Sequence, residues 1–231
     1  MGLKEPGLRG SLRNVSVGMD AIPDALVDNF EDEPNGIYES GETIVDYYSN
    51  DTGSYGRTTS NVEEGEQALG RTVEEAHVGV VSEPGDGLNR YPDEGDTVKW
   101  IAVASELFGG ILLNADSSDQ EGYLFEINPN DNLEIQKITS FESDGVSQLA
   151  ENTNVGMTTG NWYWCEADLP TTEDDSMECR VFELDSGLEK GDSVSTLSAN
   201  DNDFSENRGV GAYTRSGSDT GALVDWIRVD D

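Results

Sequence analysis

Lysine is nearly missing from this chain. It occurs four times in 231 residues (Lys4, Lys99, Lys137 and Lys190), beside nine arginines, so the long, strongly hydrated ammonium stem is avoided. Histidine occurs once, as His77, and cysteine twice, as Cys165 and Cys179. No His/Cys cluster therefore has zinc spacing. A nucleophilic triad would have to use His77, and no Gly-x-Ser-x-Gly elbow accompanies it, so the run Val73 to Val80 reads as a strand with a partly buried histidine. No stretch of eighteen apolar residues occurs and none of leader length follows Lys4, which argues against a membrane span and a cleaved export signal. Pro6 stands where a myristoylation pattern wants Ser or Thr. Clustered Lys and Arg are absent from the body, which removes the usual footprint of nucleic-acid binding.

What is abundant is negative charge: 48 Asp and Glu against 13 Lys and Arg, a net of −35. Such a chain folds against its own repulsion and suits molar salt, which screens charge over about 3 Å. Stability is expected to fall as salt drops to about 0.1 M, where the screening length is about 10 Å. An acidic disordered tail would share this charge. Here, however, apolar residues make up 35% of the chain and all four Trp lie in β-like runs, so a core exists.

The first nineteen residues are a different material. Lys4, Arg9 and Arg13 face one acid, Glu5, among Gly2, Pro6, Gly7, Gly10 and Gly18. Either a frayed tail or an extended arm that docks on something acidic fits this pattern.

From Ala25 onward, short runs of near-alternating Val, Ile, Tyr, Trp and Thr are broken at regular intervals by Gly, Asp, Asn or Ser. The rhythm predicts an all-β antiparallel sandwich. Strands are expected near 26–30, 43–48, 67–80, 96–104, 110–114, 123–128, 133–140, 146–149, 162–169, 177–184, 193–198, 210–214 and 223–229. The best helix signal, 205–208, is one turn. Asn128-Pro129-Asn130-Asp131-Asn132 reads as a hairpin turn, and 171–176 as another. Domain boundaries follow: an arm over 1–24 and one sandwich over 25–231.

Several residues carry candidate chemistry. Glu166-Ala167-Asp168 resembles half of a Glu-x-Asp-x-x-Glu hydrolase strand, but Thr171 stands where the second catalytic carboxylate belongs and Pro170 ends the strand. Among 48 acids a chance match is expected, so no catalytic residue is assigned and the chain is read as a non-enzyme. Cys165 and Cys179 lie symmetrically about the Thr172 turn, which allows a cross-strand disulfide or two free thiols. For glycan, aromatic platforms beside polar groups are needed. Trp164, with Tyr55, Tyr91 and Tyr213 in loop-like or strand-end settings, could supply one, with burial in the sandwich as the competing role for each.

The runs Gly122 to Ile127, Asn132 to Lys137, Gly160 to Tyr163, Val194 to Asp201 and Asp225 to Val229 together resemble the concanavalin A-like, laminin-G-like jelly-roll superfamily. Within it, the opening Ile22 to Asp32 behind the arm Gly2 to Arg13 resembles structural proteins of haloarchaeal tailed viruses. The resemblance implies a jelly roll with an extended N-terminal arm. It also implies a virion protein made in the host cytoplasm and displayed on the virion surface, as capsid decoration, turret or tail component. Lys4, Arg9 and Arg13 would anchor it to capsid or tail proteins. The lectin-like domain would assemble as a trimer or pentamer and meet host-surface glycan or S-layer glycoprotein. Jelly-roll carbohydrate modules often tie their termini with Ca2+, which here implies Asp28, Glu31 and Asp225 as ligands and Glu64 to Leu69 as a carbonyl-donating segment. The alternative is a calcium-stabilised carbohydrate-binding module or glycan hydrolase of a halophilic cell.

Overall fold

In the computed structural model, the described residues are 77–85, 88, 90–104, 108–141, 145–216 and 221–229, with the strand segments 26–28, 37–38, 48–49, 55–58 and 68–71. The strands are β1 (Leu26–Asp28), β2 (Ile37–Tyr38), β3 (Tyr48–Ser49), β4 (Tyr55–Thr58), β5 (Ala68–Arg71), β6 (Val78–Ser82), β7 (Thr97–Val103) and β8 (Phe108–Asp116). They continue with β9 (Glu121–Asn128), β10 (Asn132–Ile138), β11 (Val146–Thr153), β12 (Trp162–Asp168), β13 (Ser176–Leu184), β14 (Lys190–Asn200), β15 (Gly209–Ser216) and β16 (Gly221–Val229). All pair antiparallel, in two sheets. Sheet A has nine strands in the order β14-β13-β12-β7-β16-β5-β4-β2, with β1 also on β16, and sheet B has seven in the order β11-β10-β9-β8-β15-β6-β3.

This is the expected antiparallel sandwich of jelly-roll type, and among the described residues it contains no helix. Alternation builds it: in β14, Ser195, Leu197 and Ala199 are buried while Thr196, Ser198 and Asn200 are exposed. Between the sheets lie Trp100, Tyr123, Phe125, Ile135, Tyr163, Cys165, Leu197 and Ile227, with the Trp100 and Phe125 rings 6.1 Å apart. Each such side chain contributes about 1.5–3 kcal/mol through removal from water.

The hairpin turn between β9 and β10 forms as read. Asn130 N donates to Asn128 Oδ1, Asp131 N donates to Asn128 O, and Asp131 takes the left-handed conformation at φ 62°. Three expectations change. The single run over 67–80 is two strands in different sheets, β5 and β6, and His77 sits just before β6 at φ 59°. Residues 203–206 form a turn where one helical turn was expected. The short β2 and β4 were not foreseen. The arm, with Lys4, Arg9 and Arg13, lies outside the described residues, as do Glu31 and 43–47.

Candidate binding face on sheet A

The outer face of sheet A, away from sheet B, is banded by register. Arg180 lies opposite Glu166, Glu166 opposite Lys99, and Lys99 opposite Arg228, so one charged row of three cations about Glu166 crosses β13, β12, β7 and β16. The neighbouring rows are apolar: Phe182 opposite Trp164 opposite Ile101, then Trp162 opposite Val103. Strand alternation puts these on one face and sends Tyr163, Cys165 and Ala167 into the core.

Arg180 is the hub of the charged band. Its Nη1 and Nη2 donate to Asp168 Oδ2 and Oδ1 at 2.5 and 2.8 Å, a two-pronged contact suited to its planar fork. Its Nε donates to Glu166 Oε2 at 3.3 Å and its Nη1 also to Glu178 Oε1 at 2.9 Å. Lys190 Nζ donates to both Glu166 oxygens at 2.9 and 3.1 Å and lies 3.8 Å from the Phe182 ring centre. Trp164 Nε1 donates to Glu166 Oε1 at 3.0 Å, and Thr97 Oγ1 to Asp168 Oδ1 at 2.7 Å. The Glu166 side chain is 8% exposed against 41% for Asp168, so the first is a built-in ion pair and the second a surface one.

These contacts fix protonation. Burial pushes the Glu166 carboxyl up, but hydrogen bonds from Lys190, Trp164 and Arg180 outweigh it and hold it below the usual carboxylate range. Asp168 is held low by hydrogen bonds from Arg180, against a smaller opposing effect of burial. Neither carboxyl keeps a proton to donate near neutrality, as the general acid of a glycosidase must. The arrangement can bind and position polar groups through its ionised carboxylates and the cations beside them.

In the apolar band, Trp164 and Trp226 meet edge to face at 5.1 Å and 77°, and the Arg228 guanidinium lies 4.5 Å from the Trp226 ring centre. Ile101, Val103 and Trp162 complete the cluster, with Phe182 and Leu184 packed beside it. The indole N–H groups of Trp162 and Trp226 are buried without an acceptor.

The tyrosine platform does not form. Tyr91 is 8% exposed, its hydroxyl 2.8 Å from Ser82 Oγ, because its ring packs into the core. Tyr213 is fully buried on the far side of sheet B, against Phe141 at 5.7 Å, with its hydroxyl 3.1 Å from His77 Nδ1. Trp164 is on the candidate face at 9% exposure, and Tyr55 belongs to β4 with its side chain outside the described residues. The Glu166–Asp168 pair, set aside in the sequence, is thus part of the face, and Arg180 and Lys190 were missed. Their only signal was an arginine two residues after Glu178, which means nothing until the register is known.

The cysteines are free and buried. Cys165 lies opposite Val181 and Cys179 opposite Ala167, so they are diagonal neighbours. Diagonal Cβ atoms are about 7 Å apart, whereas a disulfide needs about 3.8 Å. For calcium, β1 and β16 do run side by side, with Asp28 opposite Ile227. Of the expected ligands only the Asp225 side chain is described, and no group of three or more His, Cys, Asp or Glu among the described residues is placed to hold a metal.

A second polar cluster closes one end of the sandwich. Lys137 Nζ donates to Asp201 at 2.8 and 3.1 Å and to Asp203, 5.0 Å from the Phe204 ring centre, while Tyr123 Oη donates to Asp201.

No family model matches this chain, and no curated protein matches it. Solved structures with a similar layout include a protein of unknown function from Shewanella oneidensis MR-1 (14% identity, 84% of each chain covered, TM-score 0.45). Another is the exoplasmic, lumenal domain of VIP36 in its Ca2+/Man3GlcNAc-bound form (9% identity, 86% of this chain and 90% of that one, TM-score 0.46). A third is the tail fibre protein gp63.1 of E. coli phage G7C (14% identity, TM-score 0.37), where 60% of this chain matches 15% of that one. At these levels the likeness identifies neither a family nor an activity.

Proposed function

We propose that this chain is a non-enzymatic structural protein displayed on a haloarchaeal virus particle. In this reading the segment up to residue 24 holds it to capsid or tail proteins, and the outer face of sheet A meets host-surface glycan or S-layer glycoprotein. The observation that carries the binding role is the banded face itself. A sugar ring offers an apolar face fringed by hydroxyls, and the half-buried Phe182 ring beside Arg180, Lys190 and Asp168 presents both chemistries at the surface, on a support of packed Trp162, Trp164 and Trp226. The halophilic setting rests on the charge of −35, and the viral setting on the basic arm with the Ile22 to Asp32 opening.

The second reading, a calcium-stabilised carbohydrate-binding module of a halophilic cell, is favoured by the β1–β16 pairing, which brings the two ends of the sandwich together. An antibody to residues 25–231, used on gold-labelled particles and uninfected cells from one hypersaline culture, separates the two. Label arrayed on particles supports the virion role. Label confined to cells or medium, with clean particles, overturns it. For the face, binding of the full chain to purified host envelope in molar KCl should fall at least tenfold with Phe182→Ala while the fold persists, and unchanged binding would remove the face from the proposal.

A further inference from the structure

β14 is an edge of sheet A, and it is eleven residues long. Proteins guard such edges with lysine, proline or bulges, because a row of free N–H and C=O groups is a template for another strand. Ser193 to Asn200 carries no charge and no proline, in a chain of net charge −35. The register irregularities with β13 fall between Val181 and Leu184, so Ser195 to Asn200 pairs with Ser176 to Val181 without interruption.

The direction of the free groups can be read from two bonds. Thr196 O accepts from Asn152 Nδ2 at 2.7 Å, so residue 196 faces away from β13, whereas Asp201 N donates to Asp175 O and faces toward it. Antiparallel alternation then turns the N–H and C=O of Thr196, Ser198 and Asn200 to the open side. Asn152 occupies one of these groups with one hydrogen bond, and a carbonyl oxygen can accept a second. The side chains of these three residues are exposed, and Leu197 and Ala199 are anchored in the core.

We propose that β14 pairs antiparallel with β14 of a second copy, about a two-fold axis at Ser198, so that Thr196 faces the partner's Asn200 and sheet A continues across the dimer. A chain this acidic meets least repulsion from its own copy where it carries no charge. The antiparallel arrangement also brings Lys190, at one end of β14, toward the partner's acidic turn, which holds Asp201, Asp203 and Glu206 in each copy. The two-fold dimer is an alternative to the trimer or pentamer that the resemblance implies, and it does not depend on the virion reading.

The test is sedimentation velocity of the full chain up to about 100 µM. The expected result is a monomer–dimer equilibrium that tightens as KCl rises from about 1 to 3 M, because screening removes the residual repulsion. Ser198→Pro deletes an outward N–H that β13 does not use, and Ser198→Glu puts two carboxylates face to face at the axis. Each should weaken the dimer at least tenfold with an unchanged circular dichroism spectrum, and if the proline variant misfolds the glutamate variant decides. A wild-type monomer throughout, a trimer or pentamer, or a dimer that survives Ser198→Glu overturns the proposal.

Discussion

The outer face of sheet A and the β14 edge meet in one hairpin, β13 to β14, and treat charge in opposite ways. On the face, Arg180 and Lys190 are tied to Glu166, Asp168 and Glu178. On the edge, eight consecutive residues are uncharged. Four of the seven Lys and Arg side chains that the structure describes (Lys99, Arg180, Lys190 and Arg228) lie in or beside the charged band, so scarce cations are concentrated where carboxylates are half-buried. The lesson is that net charge does not describe this surface. The buried Glu166 is neutralised by Arg180 and Lys190, the buried Glu126 and Glu134 accept from the amides of Asn128 and Gln136, and one strip is kept free of both signs.

The contrast can be broken from either side. The largest effect is expected in the apolar band of the face: Trp226→Ala, at a fully packed site, should cost about 3–5 kcal/mol in urea unfolding at molar KCl. A loss below about 1 kcal/mol would mean that the band does not pack as described. Next comes Arg180→Met, which leaves Glu166 to Lys190 and the Trp164 indole N–H. Because Arg180 is 23% exposed, the cost expected for a fully buried pair is reduced to about 2 kcal/mol.

Acid sharpens the same point. The folded-state values of Glu166 and Asp168 are depressed, so their contribution is present above the unfolded values of about 4.3 and 3.9 and is lost as pH falls through the folded ones. The stability gap between wild type and Arg180→Met should therefore narrow as pH drops from about 6 to about 3. A gap that is constant with pH would assign Arg180 a packing role only. The smallest effect belongs to the edge: Thr196→Glu should change monomer stability by no more than about 0.5 kcal/mol, since its side chain points to solvent. A larger loss would show that the strip is kept uncharged for folding and not for association.

Much of the layout was legible in the sequence, because alternation and turn chemistry are local. β12 and β13 came out within a residue, and β9, β10 and β16 within two, with the Asn-rich turn in place. The break at His77 was hidden because Gln67 to Val80 is apolar enough on both sides to read as one strand, although its halves belong to different sheets. The site was less legible, for a different reason. Symmetry about Thr172 placed Cys165 across from Cys179, but the true register is two residues away, and the same offset sets Arg180 opposite Glu166. Register is a pairwise property that a single sequence does not display. The tyrosines misled because a strand-end position does not say which side of the sheet a ring will take, and Tyr213 took the covered side.

The two thiols give the molecule a clock. Cys165 and Cys179 are 1% and 0% exposed, and burial raises both well above the ordinary thiol range, so in the closed sandwich neither offers a nucleophile. An alkylating reagent in excess can reach them only when β12 and β13 part from the core, and the label then counts openings. If the sandwich opens as one unit, both sulfurs will be captured together, and the unlabelled mass will convert directly to the doubly labelled one without a singly labelled species between them.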